Sequence, residues 1–199
     1  MFELLAAAAA LLPTILEVTV NLVIFAAIVT KALQALGIIG PDENAKELGD
    51  KAIQAEEEGI TPENYDSYEE YMDAVRKFEL DPEKSEQIED EDKLKKGTEI
   101  FTTVMVDRLG KVSAEDLLVV MAKNPMYFEN RMPLLMEKLK DTPEKLKDIT
   151  DFMQGRHYSP EKDDEVASVL YDVEKKVNPD ATMEGMLRDL KEIEKRGGR

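Results

Sequence analysis

The chain contains no cysteine and a single histidine, His157. The first absence excludes a disulfide framework, a thiolate zinc site, an iron–sulfur cluster and a cysteine nucleophile. The second excludes a multi-histidine metal site. Positive charge is scarce as well, with 26 basic side chains against 43 acidic ones and a net charge of −17 over 199 residues. A polyanion repels a phosphate backbone, and the one basic concentration is terminal, at Lys195, Arg196 and Arg199; nucleic acid is therefore not an expected partner. No Gly-rich phosphate loop, metalloprotease motif or nucleotide fingerprint occurs, and no run alternates with period two for long enough to argue a strand. Neither a cofactor nor a metal ion is expected, and the chain reads as a non-enzyme.

The charge that is present is segregated. Residues 41 to 92 hold 20 of the acidic groups and only 5 of the basic ones, while residues 93 to 199 are almost balanced. Together with an apolar N-terminus, this divides the chain into an anchor at 1–40, an acidic helical arm or linker at 41–92 and a charge-balanced helical bundle at 93–199. Within the arm, Asp81 to Asp92 is the least apolar stretch, with Ile88 its only hydrophobic residue; it reads either as a hinge or as a solvated helix surface.

The apolar N-terminus dominates the sequence. Between Leu4 and Ile39, 27 of 36 residues are hydrophobic, and residues 13–36 alone match the roughly 20 residues that a bilayer core requires. Pro13 is expected to break the segment, leaving a short Ala-rich piece before it and a membrane helix after it. No basic residue precedes the run, so it does not read as a signal peptide. Lys31, Lys46 and Lys51 all lie on its C-terminal side, which orients a single-pass span with the C-terminal region in the cytoplasm. The same pattern is also compatible with an apolar helix buried in the core of a soluble oligomer.

Four of the polar residues in the segment fall into a pattern. Thr14, Glu17 and Asn21 recur at spacings of three and four, and Lys31 falls on roughly the same face at 100° per residue. A carboxylate and a carboxamide one turn apart in hydrocarbon need partners, so this stripe is expected to form a helix–helix interface in a homo-oligomer or to line a wet cavity. The alternative places Glu17 at the headgroups, with the bilayer beginning near Val18.

After Gly40 the helix starts are spelled out. Thr61-Pro62-Glu63, Asp81-Pro82-Glu83, Thr142-Pro143-Glu144 and Ser159-Pro160-Glu161 each read as an N-cap, a proline in the first turn and an acid behind it. Asn124-Pro125 and Asn178-Pro179-Asp180 are weaker copies, and Gly59, Gly110 and Gly155 mark helix ends. Apolar residues recur at helical spacing between these marks, among them Tyr65, Tyr68, Tyr71, Met72, Val75 and Phe78, whose tyrosines read as core rather than as a recognition surface. The predicted fold is all-α: a long apolar N-terminal helix, transmembrane on this reading, then an acidic arm and a small multi-helix bundle.

Residues that could carry chemistry are few. Gly110 to Asp116 resembles the second half of an EF-hand calcium loop, but Met105 stands where the first carboxylate is required; Ser113 with Asp116 is read instead as a capping box. His157 lies in an interhelical loop with no serine–acid arrangement matched to it. The function expected is that of a membrane-anchored structural or assembly subunit, oligomerising through its N-terminal helix and displaying a helical domain that docks a protein partner, the acidic arm pointing to a basic one. The alternative is a pore-forming or ion-conducting membrane protein with Glu17 and Asn21 lining a wet cavity.

Overall fold

The computed structural model describes residues 2–19 and 21–197; Val20, inside the expected span, and Arg199, of the basic terminus, lie outside the described residues. Every regular element described is helical. The elements are α1 (Phe2–Val18), α2 (Leu22–Ala35), α3 (Ala45–Glu57), a 3-10 turn (Pro62–Asn64), α4 (Tyr68–Lys77), α5 (Pro82–Gln87), α6 (Asp90–Leu109), α7 (Lys111–Lys123), α8 (Pro125–Phe128), α9 (Met132–Leu139), α10 (Glu144–Met153), α11 (Pro160–Val177) and α12 (Met183–Gly197).

The apolar segment departs from the single span expected of residues 13–36. No helix among the described residues is long and apolar enough to cross a membrane. The first helix ends at Val18 and the second begins at Leu22, whereas Pro13 sits exposed inside α1. Thr19 closes α1 by folding its hydroxyl onto the Ile15 carbonyl at 2.6 Å. Asn21 is extended, and its side chain accepts the Ile24 N–H at 3.1 Å, capping α2. Asparagine is among the strongest N-caps, and this one cuts the run into helices of 17 and 14 residues. One face of each helix then packs on protein. Ala8, Leu11 and Ile15 of α1 are buried against α6 and α7, and Phe25, Ala26, Ile28, Val29, Ala32 and Leu33 of α2 are buried among α3, α6, α8 and α9. A helix that is hydrophobic nearly all round is one enclosed on several sides, and α2 is enclosed by protein.

At the centre lies α6, which packs along α3 and touches α1, α2 and α7. Its buried threonines are satisfied locally: the hydroxyls of Thr98 and Thr102 each donate to the carbonyl four residues back, at 2.8 Å. The α3–α6 crossing is close because two glycines face each other across it. A Cβ on Gly49 would fall on the Lys93 carbonyl oxygen, and one on Gly97 on the Ala45 carbonyl oxygen. Neither glycine has a positive φ; each is required by proximity.

Beside this crossing lies a buried charge pair. Lys93 donates to Asp50 Oδ2 at 3.1 Å and to the Ser85 carbonyl at 2.7 Å, and the Ser85 hydroxyl donates to the same carboxylate oxygen of Asp50. Gln54, fully buried, donates to Asp50 Oδ1 at 2.9 Å and accepts the Asp81 N–H at 2.9 Å. These bonds pin α5 to the α3–α6 pair. The Asp81–Asp92 stretch is thus the solvated helix surface of the two readings, with α5 tied down on its inner side. Solvated on its outside, it is held by Ser85, which points inward, and by Lys93 of α6 just beyond it.

The start signals are mostly realised. Asp81 caps α5 and Ser159 caps α11 through side-chain bonds. Thr61-Pro62 opens only the 3-10 turn, α10 begins one residue after Pro143, and Asn178-Pro179 precedes a turn, so that α12 starts at Met183. Gly59, Gly110 and Gly155 all adopt positive φ at helix ends, joined by Gly37. The capping box expected of Ser113 and Asp116 does not form. Gly110 both ends α6 and opens α7, which places Ser113 inside that helix.

Candidate functional site

The face of α1 that carries Leu5, Ala6 and Ala9 runs beside a cleft of about 540 Å³. Leu5, Ala6 and Ala9 form its apolar wall. Thr61, Pro62 and Glu63 of the 3-10 turn form a second side, and Glu56 of α3 with Lys96 and Glu99 of α6 form the floor. Each part follows from the sequence locally. The α1 wall carries no charge from Leu4 to Leu16. The proline at 62 turns the chain sharply after Gly59, bringing Glu63 round to face α1. The α3–α6 crossing sets Glu56 opposite Lys96.

The floor is a three-charge arrangement. Lys96 Nζ lies 2.8 Å from Glu56 Oε1 and 3.2 Å from Glu99 Oε1. Its side chain is 16% exposed, against 30% and 37% for the two glutamates. Burial pushes the ammonium toward neutrality, but the charge of Glu99 and the hydrogen bond and charge of Glu56 outweigh it and raise its pKa above the usual lysine value. Lys96 is therefore a resident cation. Behind Glu56 stand the tyrosines: Tyr71 is buried and donates to Glu56 Oε1 at 3.1 Å, with the Tyr68 and Tyr65 rings 5.6 and 6.0 Å from its own. Burial raises the phenol pKa values of Tyr68 and Tyr71, and both remain neutral. The tyrosines are packing residues, as their spacing predicted, and Tyr71 additionally positions a cleft carboxylate. Counting Glu63, three carboxylates and one ammonium face the cleft.

The polar residues of the N-terminal segment are not gathered into one stripe. Thr14 and Glu17 are exposed on α1, Asn21 spends its side-chain oxygen on the α2 cap, and Lys31 reaches the Glu129 carbonyl at 3.3 Å and Asn130 at 3.5 Å. Because the helix ends between Glu17 and Asn21, the 100° progression that aligned them does not carry through.

Other charged clusters tie elements together. Arg131 makes a two-pronged pair with buried Glu174, at 2.7 and 2.9 Å, while its guanidinium lies 4.4 Å from the Tyr127 ring centroid. Burial pushes the carboxyl of Asp151 up, but hydrogen bonds from Lys147, Tyr158 and Arg156 hold it below the usual range. Arg156 continues to Asp116 at 2.6 Å, so Asp116 belongs to this loop anchor rather than to a calcium loop. His157 is exposed and paired with Asp163 at 2.9 Å.

The Ser85–Lys93–Asp50 group superficially resembles a nucleophile beside a base. Lys93 donates to a carboxylate, a carbonyl and the Ser85 hydroxyl itself, at 3.1 Å. An ammonium spending its donors in this way has no lone pair with which to accept the hydroxyl proton. The group is a structural latch. Among the described residues, no three His, Cys, Asp or Glu side chains are arranged to hold a metal ion.

The latch and the cleft floor were not visible in the sequence, since Asp50 with Lys93 and Glu56 with Lys96 pair across about forty residues. The one available signal was a glycine within each of the two helical patterns, which marks close backbone approach. Comparison with protein-family models, curated proteins and solved structures gives no match.

Proposed function

We propose that this protein is a helical interaction subunit whose α1–α3–α6 cleft receives a basic, amphipathic segment of a protein partner. The observation that carries the reading is the pairing, in one cleft, of an uncharged α1 wall with a floor and rim of three carboxylates. Apolar side chains of the incoming segment would lie on Leu5, Ala6 and Ala9, and its lysines or arginines would face Glu56, Glu63 and Glu99. The surrounding chain favours the same partner, because residues 41–92, which supply Glu56 and Glu63, carry most of the net charge. Such a field speeds encounter with a basic partner at low salt and fades over a Debye length of about 10 Å at 0.1 M.

The test is titration with a synthetic helical peptide bearing leucines on one face and lysines on the other, at low and high salt. Ala9→Lys places bulk and a cation in the wall at an exposed position and is expected to weaken binding at least about tenfold, or ~1.4 kcal/mol. Met126→Lys makes the same charge change at an exposed site on α8, outside the cleft, and should bind like the wild type. Equal affinity of the two variants, or no binding by the wild type, contradicts the reading.

A further inference from the structure

The cleft floor already holds a cation. Lys96 occupies the position between Glu56 and Glu99 that an incoming lysine or arginine would take, and it is the least exposed of the three. We infer that Lys96 is a built-in competitor for the partner's cationic group and sets the specificity of the cleft. The inference rests on the reading of the cleft as a site for basic segments. In the free chain the ammonium neutralises one of the floor carboxylates and keeps Glu56 and Glu99 from repelling each other. When a basic segment docks, its cation and Lys96 share two carboxylates, and the exchange of one ion pair for another returns little net energy. A segment with a single cation thus gains little. One with two cations, able to reach Glu63 on the rim as well, gains a carboxylate that Lys96 does not hold. The cleft therefore selects for paired basic residues over isolated ones.

This predicts an effect opposite in sign to that of an ordinary structural bridge. Lys96→Met keeps the aliphatic stem and removes the competitor, and should bind the leucine–lysine peptide about fivefold more tightly than the wild type, the scale of one partly exposed ion pair. It should also show a steeper loss of affinity with salt, because one more carboxylate awaits the ligand. Lys96→Arg, which keeps a cation there and adds the fork geometry that suits carboxylates, should bind more weakly than the wild type and remain folded. Circular dichroism and a thermal melt establish that each variant is folded; if Lys96→Met is not, the Lys96→Arg comparison decides. Lys96→Met binding no more tightly than the wild type, or Lys96→Arg binding as well as the wild type, overturns the competitor role while leaving the cleft as the binding site. Absence of binding in all three proteins overturns both.

Discussion

Lys93→Met is expected to destabilise the fold by about 3–5 kcal/mol, the cost of leaving one member of a buried ion pair without its partner. Asp50 is 4% exposed and lies against the α3–α6 crossing. Without the ammonium, its carboxylate keeps only Ser85 and Gln54 as donors, and α5 loses the bond from Lys93 to the Ser85 carbonyl. In a chain of this size each kcal/mol is worth about 2–4 °C of melting temperature, so a fall on the order of 10 °C should be measured. The effect has a defined pH dependence. Burial pushes the Asp50 carboxyl up, but hydrogen bonds from Ser85, Lys93 and Gln54 and the Lys93 charge hold it below its usual range. A carboxyl depressed in the folded state contributes stability above its unfolded pKa of about 3.9 and loses it as pH falls through the folded value. The gap between wild type and Lys93→Met should accordingly be full at neutral pH and narrow below about pH 4. Replacing both partners, as in Asp50→Leu with Lys93→Met, should be less harmful than Lys93→Met alone, since no uncompensated charge remains. A double variant less stable than the single one would show that the pair matters for something other than charge balance.

The second large effect is expected in α2. Phe25 is fully buried and Val23, two residues before it, is 68% exposed. Phe25→Ala should cost about 3–5 kcal/mol through lost burial and the cavity left behind, whereas Val23→Ala should stay within about 0.5 kcal/mol. A helix enclosed by protein on its Phe25 side produces this contrast. Equal and small effects at the two positions would mean that α2 has no protein partner there.

How far the sequence led can be traced to particular residues. The proline-marked starts and glycine stops after Gly40 are local chemistry, read within three or four positions, and Asp81, Ser159, Gly59 and Gly155 behave as their types dictate. The tyrosine face was legible for the same reason. The N-terminal segment misled because a count of apolar residues measures transfer out of water without naming the medium that receives them. Thr19 and Asn21 carry the contrary signal, a helix stop and an N-cap, but the stripe reading places Asn21 on one face of a continuous helix and leaves Thr19 out. The cleft was out of reach, because its wall comes from residues 5–9, its rim from 61–63 and its floor from 56, 96 and 99. The α3–α6 crossing assembles the floor, and the packing of α1 on α6 brings up the wall. That crossing depends on Gly49 and Gly97, two residues whose meaning lies in what they do not carry.

The central claim is that α2, the second half of the apolar N-terminal segment, is part of the core of this helical fold, and native-state hydrogen exchange of the whole chain in buffer tests it most directly. Amides that open only on global unfolding exchange slowest, and exposed or unanchored helices exchange through local opening. The account predicts that the α2 amides from Phe25 to Leu33 exchange as slowly as those of α6 around Phe101 to Met105, and that Lys93→Met accelerates both sets together. Rapid exchange throughout α2, with α6 and α7 still protected, would contradict it.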